Sequence, residues 1–284
     1  STLLKIIAGL IQPDAGEIFI DDERILGPDE KLIAGHNSIA YLSQYFELRN
    51  NYRVEELLEM ANKISENEAE MIFRVCQVDH LLKRKTDQLS GGEKQRIAAA
   101  RLLITSPKLL LLDEPYSNLD MVHKRVLKSV IHDICEKLKI TCILVSHDPM
   151  DTLSWADEII ILQCGQILQK GSPVQIYNNP VNEYAAGLFG PYNLLNPQQA
   201  DAFALPAIKQ AGVNVFARPE HFKVVPNEHH AVMGEVIKIR FFGSYYETEV
   251  ILNDQKITMK TGEVVGAEGD LVYVSLDFEK IWCM

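Results

Sequence analysis

The sequence predicts two parts in tandem, an α/β core built on parallel strands and then a small all-β domain. Three observations predict it. Apolar runs of strand length at 108–113 and 141–146 bracket a helical stretch at Met121–Leu138, and strand–helix–strand order is that of a doubly wound sheet. Pro107 and Pro115 flank the first run, which favours a buried parallel strand over a buried helix. After Gly190 the helical period gives way to short alternating segments separated by turn residues, the pattern of a small barrel or sandwich.

The elements follow in order. Residues 2–10 place Leu3, Ile6, Ile7 and Leu10 on one helical face. Pro13-Asp14-Ala15-Gly16 is a turn, and 17–21 reads as a strand with Ile18 and Ile20 on one side. A short strand at 38–43 ends at Gln44. From 52 to about 83 the chain is polar with apolar residues three to four apart, as on surface helices. Ser90 starts a helix that carries Ala98-Ala99-Ala100. The segments 158–162 and 166–169 form a hairpin through Cys164-Gly165, and short helices follow to Phe189. Gly190-Pro191 and Asn196-Pro197 then punctuate the chain, with a domain boundary near Gly190. Strands are expected at 213–217, Val232–Phe241, 245–252, 256–260 and Leu271–Leu276. Gly243-Ser244, Asn253-Asp254 and Glu268-Gly269-Asp270 supply the turns.

Composition narrows the function. The 284 residues are 47% apolar and 24% charged, enough for ordinary cores. A formal charge of −11 argues against a nucleic-acid face, which needs a surplus of Lys and Arg. The five cysteines are scattered with no C-x-x-C, so neither a disulfide framework nor a zinc site is expected. No apolar run approaches the roughly 18–20 residues of a membrane span.

Phosphate transfer needs a metal, a positioned water and donors aimed at developing charge. Asp113 closes the first apolar strand, where open α/β sheets bind ligands, and its carboxylate can hold Mg²⁺. Glu114, its neighbour, is suited to polarising an attacking water. Ser90-Gly91-Gly92 opens a helix, whose N-terminus offers backbone N–H groups to an anion. Alone these features read as a charged strand exit and a capped helix. Likewise Gln44, Asp120 and His147 alone read as a strand end, a helix N-cap and a loop histidine.

Together they are more specific. L-S-G-G-E-K-Q-R at 89–96, L-L-L-L-D-E-P at 109–115, S-N-L-D at 117–120 and the strand-end His147, all after an early strand-end Gln44, resemble ABC-type ATPases in order and spacing. The resemblance covers roughly 1–189 and implies a P-loop NTPase core with a helical subdomain at about 49–88, ATP and Mg²⁺ as cofactors, and two cassettes paired head to tail around two ATP molecules. Carried over, Ser1 is the hydroxyl on Mg²⁺ and Thr2 its neighbour near the phosphates. Gln44 senses Mg²⁺ and the transporter. Ser90, Gly91 and Gly92 contact the γ-phosphate held by the opposite subunit. Asp113 serves Mg²⁺, Glu114 the lytic water, Asp120 the dimer interface, and His147 the γ-phosphate. The L-S-G-G-E-K-Q-R string, which resembles the family's signature motif, has Glu93 where many members have Gln. The opening S-T-L-L-K-I-I-A-G-L resembles the tail of a Walker A loop without its glycines and lysine. That departure implies a truncated sequence whose 284 residues are inactive alone.

The tail resembles the C-terminal extension of importer ATPases for iron, polyamine, molybdate, sulfate and sugar. It rests on P-x-x-E-Y-A-A-x-L-F-G at 180–190, N-L-L at Asn193–Leu195, A-R-P-E-H at 217–221 and G-E-V-I-K-I-R-F-F-G at 234–243. The resemblance implies domains at 1–190 and 191–284, the second a TOBE-like, OB-like barrel that packs on a partner cassette or senses a small ligand. It implies an ATPase subunit of a membrane importer, peripheral on the cytoplasmic face, with transmembrane permease subunits, a second ATPase subunit and a solute-binding protein as partners, and ferric iron or polyamine as cargo. A soluble ABC protein acting on DNA or ribosomes and a non-catalytic regulatory module are the alternatives. Negative charge, a single cassette and the tail favour the importer.

Overall fold

The computed structural model describes residues 1–43, 48, 50–117, 119–203, 214–227 and 230–283. The chain divides into two compact units, Ser1–Asp151 and Thr152–Met284.

In the first unit α1 (Thr2–Ile7) is followed by the strands β1 (Phe19–Ile20) and β2 (Glu23–Arg24). These two form a hairpin that the sequence pattern did not show. Asp21 and Asp22 both take left-handed φ values, 46° and 65°, as the tight two-residue turn of a hairpin requires and as Asp tolerates better than most residues. The core sheet is β3 (Ile39–Leu42), β4 (Leu109–Asp113) and β5 (Thr141–Val145), parallel and in that order. The expected strands at 38–43, 108–113 and 141–146 are therefore present. Leu4 and Ala8 pack with Leu111 on one face, joined by Ile39, Tyr41, Leu109 and Val145. Alternation puts Ala40, Leu42, Leu110 and Leu112 on the other face, and all four are buried. Both faces of β4 are covered, which is why it reads as a continuous apolar run.

The helices α2 (Val54–Glu59), α3 (Glu66–Val75) and α4 (Gly91–Leu103) come before β4, and α5 (Met121–Leu138) lies between β4 and β5 with the bounds the sequence predicts. Ser65 caps α3 by accepting from the Glu68 amide, and Glu68 returns the bond to Ser65. The helix α4 packs against α2, α3, α5 and β3. Residue 49, where the helical stretch was expected to begin, lies outside the described residues.

The second unit opens with the hairpin β6 (Ile159–Gln163) and β7 (Gln166–Gly171), then α6 (Pro173–Asn178) and α7 (Glu183–Leu188). Next come β8 (Asn193–Leu195), α8 (Pro197–Ala202), β9 (Val215–Ala217), β10 (Phe222–Val225), β11 (Val232–Phe241), β12 (Tyr246–Leu252), β13 (Gln255–Thr261), β14 (Leu271–Leu276) and β15 (Trp282–Cys283). They form antiparallel sheets ordered β10-β14-β11-β12-β13 and β15-β9-β8. One core joins the two sheets, with Leu195, Phe203, Val215, Phe222, Val236, Val250, Met259 and Val274 among its residues. Gly234 lies where strands approach closely: a Cβ there would meet Leu252 Cδ2 at 2.2 Å and the Ile251 carbonyl at 2.8 Å. Four elements had no strong sequence signal: β8, α8, β10 and β15. Asn196-Pro197, read as punctuation, is a helix start, with Asn196 accepting from the Gln199 amide and Pro197 at the first helical position. Gly190 falls inside this unit, at the change from helices to strands.

Candidate functional site

The parallel register sets Asp113 beside Val145, so the segments leaving β4 and β5 emerge from the same edge of the sheet. That edge carries Asp113, Glu114 and His147.

Asp113 is only 3% exposed. One carboxylate oxygen accepts from the Ser1 hydroxyl at 2.8 Å and the other from the Tyr41 hydroxyl at 2.7 Å. Burial pushes this carboxyl up, but the bonds from Tyr41 and Ser1 outweigh it and hold the group below its ordinary range. Burial and the neighbouring Asp113 in turn push the Tyr41 hydroxyl up, so it remains a donor. Sequence reading missed Tyr41. It stands two residues after Ile39 on β3, where an aromatic reads as core.

Glu114 takes φ 52°, left-handed for a non-glycine residue. The turn is held on both sides: its amide donates to the Val145 carbonyl at 3.0 Å, and its carbonyl accepts from the Ser117 amide at 3.2 Å and hydroxyl at 2.7 Å. One Glu114 carboxylate oxygen lies 2.8 Å from His147 Nδ1. The bond to Glu114, followed by its negative charge, raises the His147 pKa above the ordinary value. A carboxylate and an imidazole thus meet across the mouth of two parallel strands.

The loop that carries His147 is anchored to α5. Lys124 reaches Asp148 and Asp151 at 2.6 Å each, and Lys128 reaches Asp151 at 2.9 Å. Ser146 donates to Asp151 at 2.8 Å, and its oxygen accepts from the Asp148 amide at 3.1 Å. Both lysines also lie over the buried ring of Tyr116, 5.9 and 5.6 Å from its centre. Asp120 begins α5 by accepting from the Val122 and His123 amides, and its second oxygen lies 2.7 Å from His123 Nδ1. One helix therefore fixes both Asp120 and the segment around His147.

Ser90 caps α4. Its hydroxyl accepts from the Glu93 amide at 3.3 Å, and its own amide donates to Glu93 at 2.7 Å. That backbone bond is the chief reason Glu93 stays below the ordinary carboxyl range. Arg84 offsets its charge from 3.6 Å. Gly92 abuts His123, which a Cβ would meet at 2.9 Å, whereas a Cβ on Gly91 would meet nothing within 4 Å. Gly92 is thus required by packing and Gly91 leaves the helix start open. Buried Gln95, also missed, donates to the Pro115 carbonyl at 3.0 Å and ties the signature helix to the D-E-P turn.

Of the expected site residues, the structure brings Ser1, Asp113, Glu114 and His147 to one sheet edge. Ser90, Gly91 and Gly92 stand at the start of α4, and Asp120 at the start of α5. Thr2 opens α1 beside Ser1 and is exposed. Gln44 lies outside the described residues.

The donor set suits Mg²⁺. Ser1 and Asp113 offer a hydroxyl and a carboxylate oxygen within 2.8 Å of one another, and Mg²⁺ takes one or two such protein oxygens together with water and substrate phosphates. Among the described residues no three His, Cys, Asp or Glu side chains cluster as an all-protein metal cage would need.

A family model described as ABC transporter matches residues 1–117. The spermidine/putrescine import ATP-binding protein PotA of Clostridium acetobutylicum is 33% identical over 268 residues, 88% of this chain and 75% of that protein. The glucose import ATP-binding protein GlcV of Saccharolobus solfataricus is 30% identical over 287 aligned residues, 97% of this chain and 77% of that protein. A dimeric ATP-binding cassette solved in a post-hydrolysis state with ADP and Pi aligns with a TM-score of 0.50 and 26% identity, over 61% of this chain and 79% of its own.

Proposed function

The chain belongs to the ABC transporter family of ATPases, and from that premise we propose that it is the ATP-hydrolysing subunit of a membrane importer. The observation that carries the reading is the Asp113–Glu114–His147 edge. A carboxylate held ionised by two hydroxyl donors stands next to a second carboxylate that is paired with an imidazole.

In this reading Ser1 and Asp113 hold Mg²⁺, which when bound neutralises charge on the phosphates of ATP. Glu114 orients and polarises the attacking water, and its strained turn keeps it in place without a conformational search. His147, at 2.8 Å from Glu114, presents an imidazole to the terminal phosphate. Ser90, Gly91 and Gly92 supply helix-terminal donors to the nucleotide of a second, head-to-tail cassette. Asp120 contributes to that interface, Thr2 contacts phosphate, and Gln44 couples the site to the permease.

The division we propose is an ATPase domain at 1–190, with a helical subdomain at about 49–88 facing two permease subunits, and a TOBE-like β domain at 191–284. A solute-binding protein completes the system. No helix among the described residues is long and apolar enough to cross a membrane, which suits a peripheral subunit on the cytoplasmic face. Polyamine is the cargo favoured by the likeness to PotA, with ferric iron the second choice from the F-G-x-x-N-L-L and R-P-E blocks. These 284 residues contain no G-x-x-x-x-G-K stretch, so we propose that they do not turn over ATP unaided.

The test is Glu114→Gln in a chain extended by a G-x-x-x-x-G-K segment ahead of Ser1, assayed by phosphate release. We expect a loss of at least about 100-fold in kcat, the range of general-base removal, with ATP binding retained. Hydrolysis within about tenfold of the parent would reject Glu114 as the base.

A further inference from the structure

The thiols of Cys135 on α5 and Cys142 on β5 lie 2.7 Å apart, sulfur to sulfur. Both residues are half-buried, whereas Cys76 is sealed in the core and Cys164 and Cys283 are exposed. The two are brought together by local geometry. Leu138 ends α5, Lys139 takes a left-handed φ of 54°, and the chain reverses directly into Thr141 at the start of β5. Scattered spacing hid this pair, because the partners are on a helix and a strand with a chain reversal between them.

We infer that Cys135 and Cys142 are a modification site that takes two oxidising equivalents from a hydroperoxide and closes into a disulfide. The step balances as one thiolate attacking the peroxide oxygen, which gives a sulfenic acid and releases an alcohol (water, for hydrogen peroxide). The second thiol then attacks the sulfenic sulfur, the S–S bond forms, and water leaves. Overall two thiols are oxidised and one O–O bond is reduced. The juxtaposition favours closure over further oxidation, since the resolving sulfur is already in place. The neighbouring Cys135, then burial, push the Cys142 thiol up, which makes the reaction slow rather than absent. The bridge would join the C-terminal turn of α5 to the strand that leads to His147, and it would join them at the end of α5 opposite Asp120.

Peptide mapping of the 284-residue chain carrying Cys164→Ser and Cys283→Ser tests this. Trypsin cuts at Lys137 and Lys139, so Cys135 falls in the peptide 129–137 and Cys142 in 140–170. After hydrogen peroxide and alkylation of the remaining thiols, we expect these two peptides to appear linked, to separate on reduction, and to show a loss of two thiols per chain. Cys135→Ser or Cys142→Ser should each abolish the linked species. The inference is overturned if both peptides stay alkylated under conditions that oxidise the exposed Cys164 of the unsubstituted chain. It is equally overturned if either sulfur goes to sulfinic acid without linkage.

Discussion

Replacing Arg218 by Ala should unfold the β-rich second unit at much lower denaturant. Arg218 is fully buried. Its guanidinium donates to the carbonyl of Tyr177 at 3.2 and 3.0 Å and to those of Ala186, Gly190 and Pro191 at 3.1, 3.1 and 3.2 Å. It also lies 4.1 Å from the Tyr177 ring and 4.9 Å from that of Phe216. Truncation strands the carbonyls of Tyr177, Gly190 and Pro191, at about 1 kcal/mol each, leaves that of Ala186 with only the Phe189 amide at 3.3 Å, and removes two cation–π contacts worth about 0.5–1 kcal/mol each. Relief of the guanidinium's desolvation, which lowers its pKa, offsets part of this, and a net cost of about 4 kcal/mol matches the range for breaking a buried charged arrangement. Both tryptophans, Trp155 and Trp282, belong to this unit, so their fluorescence in urea reports on it. With a slope of about 2 kcal/mol per molar urea, the midpoint should fall by about 2 M. Arg218→Lys keeps the charge but cannot span the carbonyls, and should fall between. A shift below about 0.5 M for the Ala variant would refute the role of Arg218 as the tie between the α6–α7 segment and the sheets.

Two further outcomes are expected. By NMR, His147 should titrate above its ordinary value of about 6.5, because the bond to Glu114 raises its pKa. The pairing therefore contributes fully below about pH 6.5 and fades as pH rises through the folded value. In Glu114→Gln the midpoint should drop toward 6.5, and a midpoint at or below 6.5 in the parent would refute the pairing. Gly92→Ala should destabilise the first unit by about 1–2 kcal/mol through the His123 clash, whereas Gly91→Ala, with open space around it, should stay within about 0.5 kcal/mol. Calorimetric melts that rank the two the other way would count against the packing argument.

The sequence by itself determined the strand–helix–strand order, the bounds of α5, β11 and β14, and the identity of the family. Each rests on local pattern. An apolar run between prolines, a 3.6-residue period from Met121 to Leu138 and a fixed string such as L-S-G-G-E-K-Q-R are legible without any long-range contact. The candidate chemistry at Asp113 and Glu114 was legible for the same reason, being adjacent residues at a strand end. Tertiary structure decided what pairs with them. Tyr41 reaches Asp113 across 72 positions and His147 reaches Glu114 across 33, and no periodicity encodes a distance of that kind. The same holds for Arg218, whose carbonyl partners lie on segments 27 to 41 residues away, and for the elements β8, β10 and β15. Those strands have two to four residues, too few to establish an alternation, and take their conformation from the sheets they join. Lys124 and Lys128 look like solvated charges on a helix. Only the fold, by placing the loop after β5 over α5, turns them into the partners of a buried aspartate.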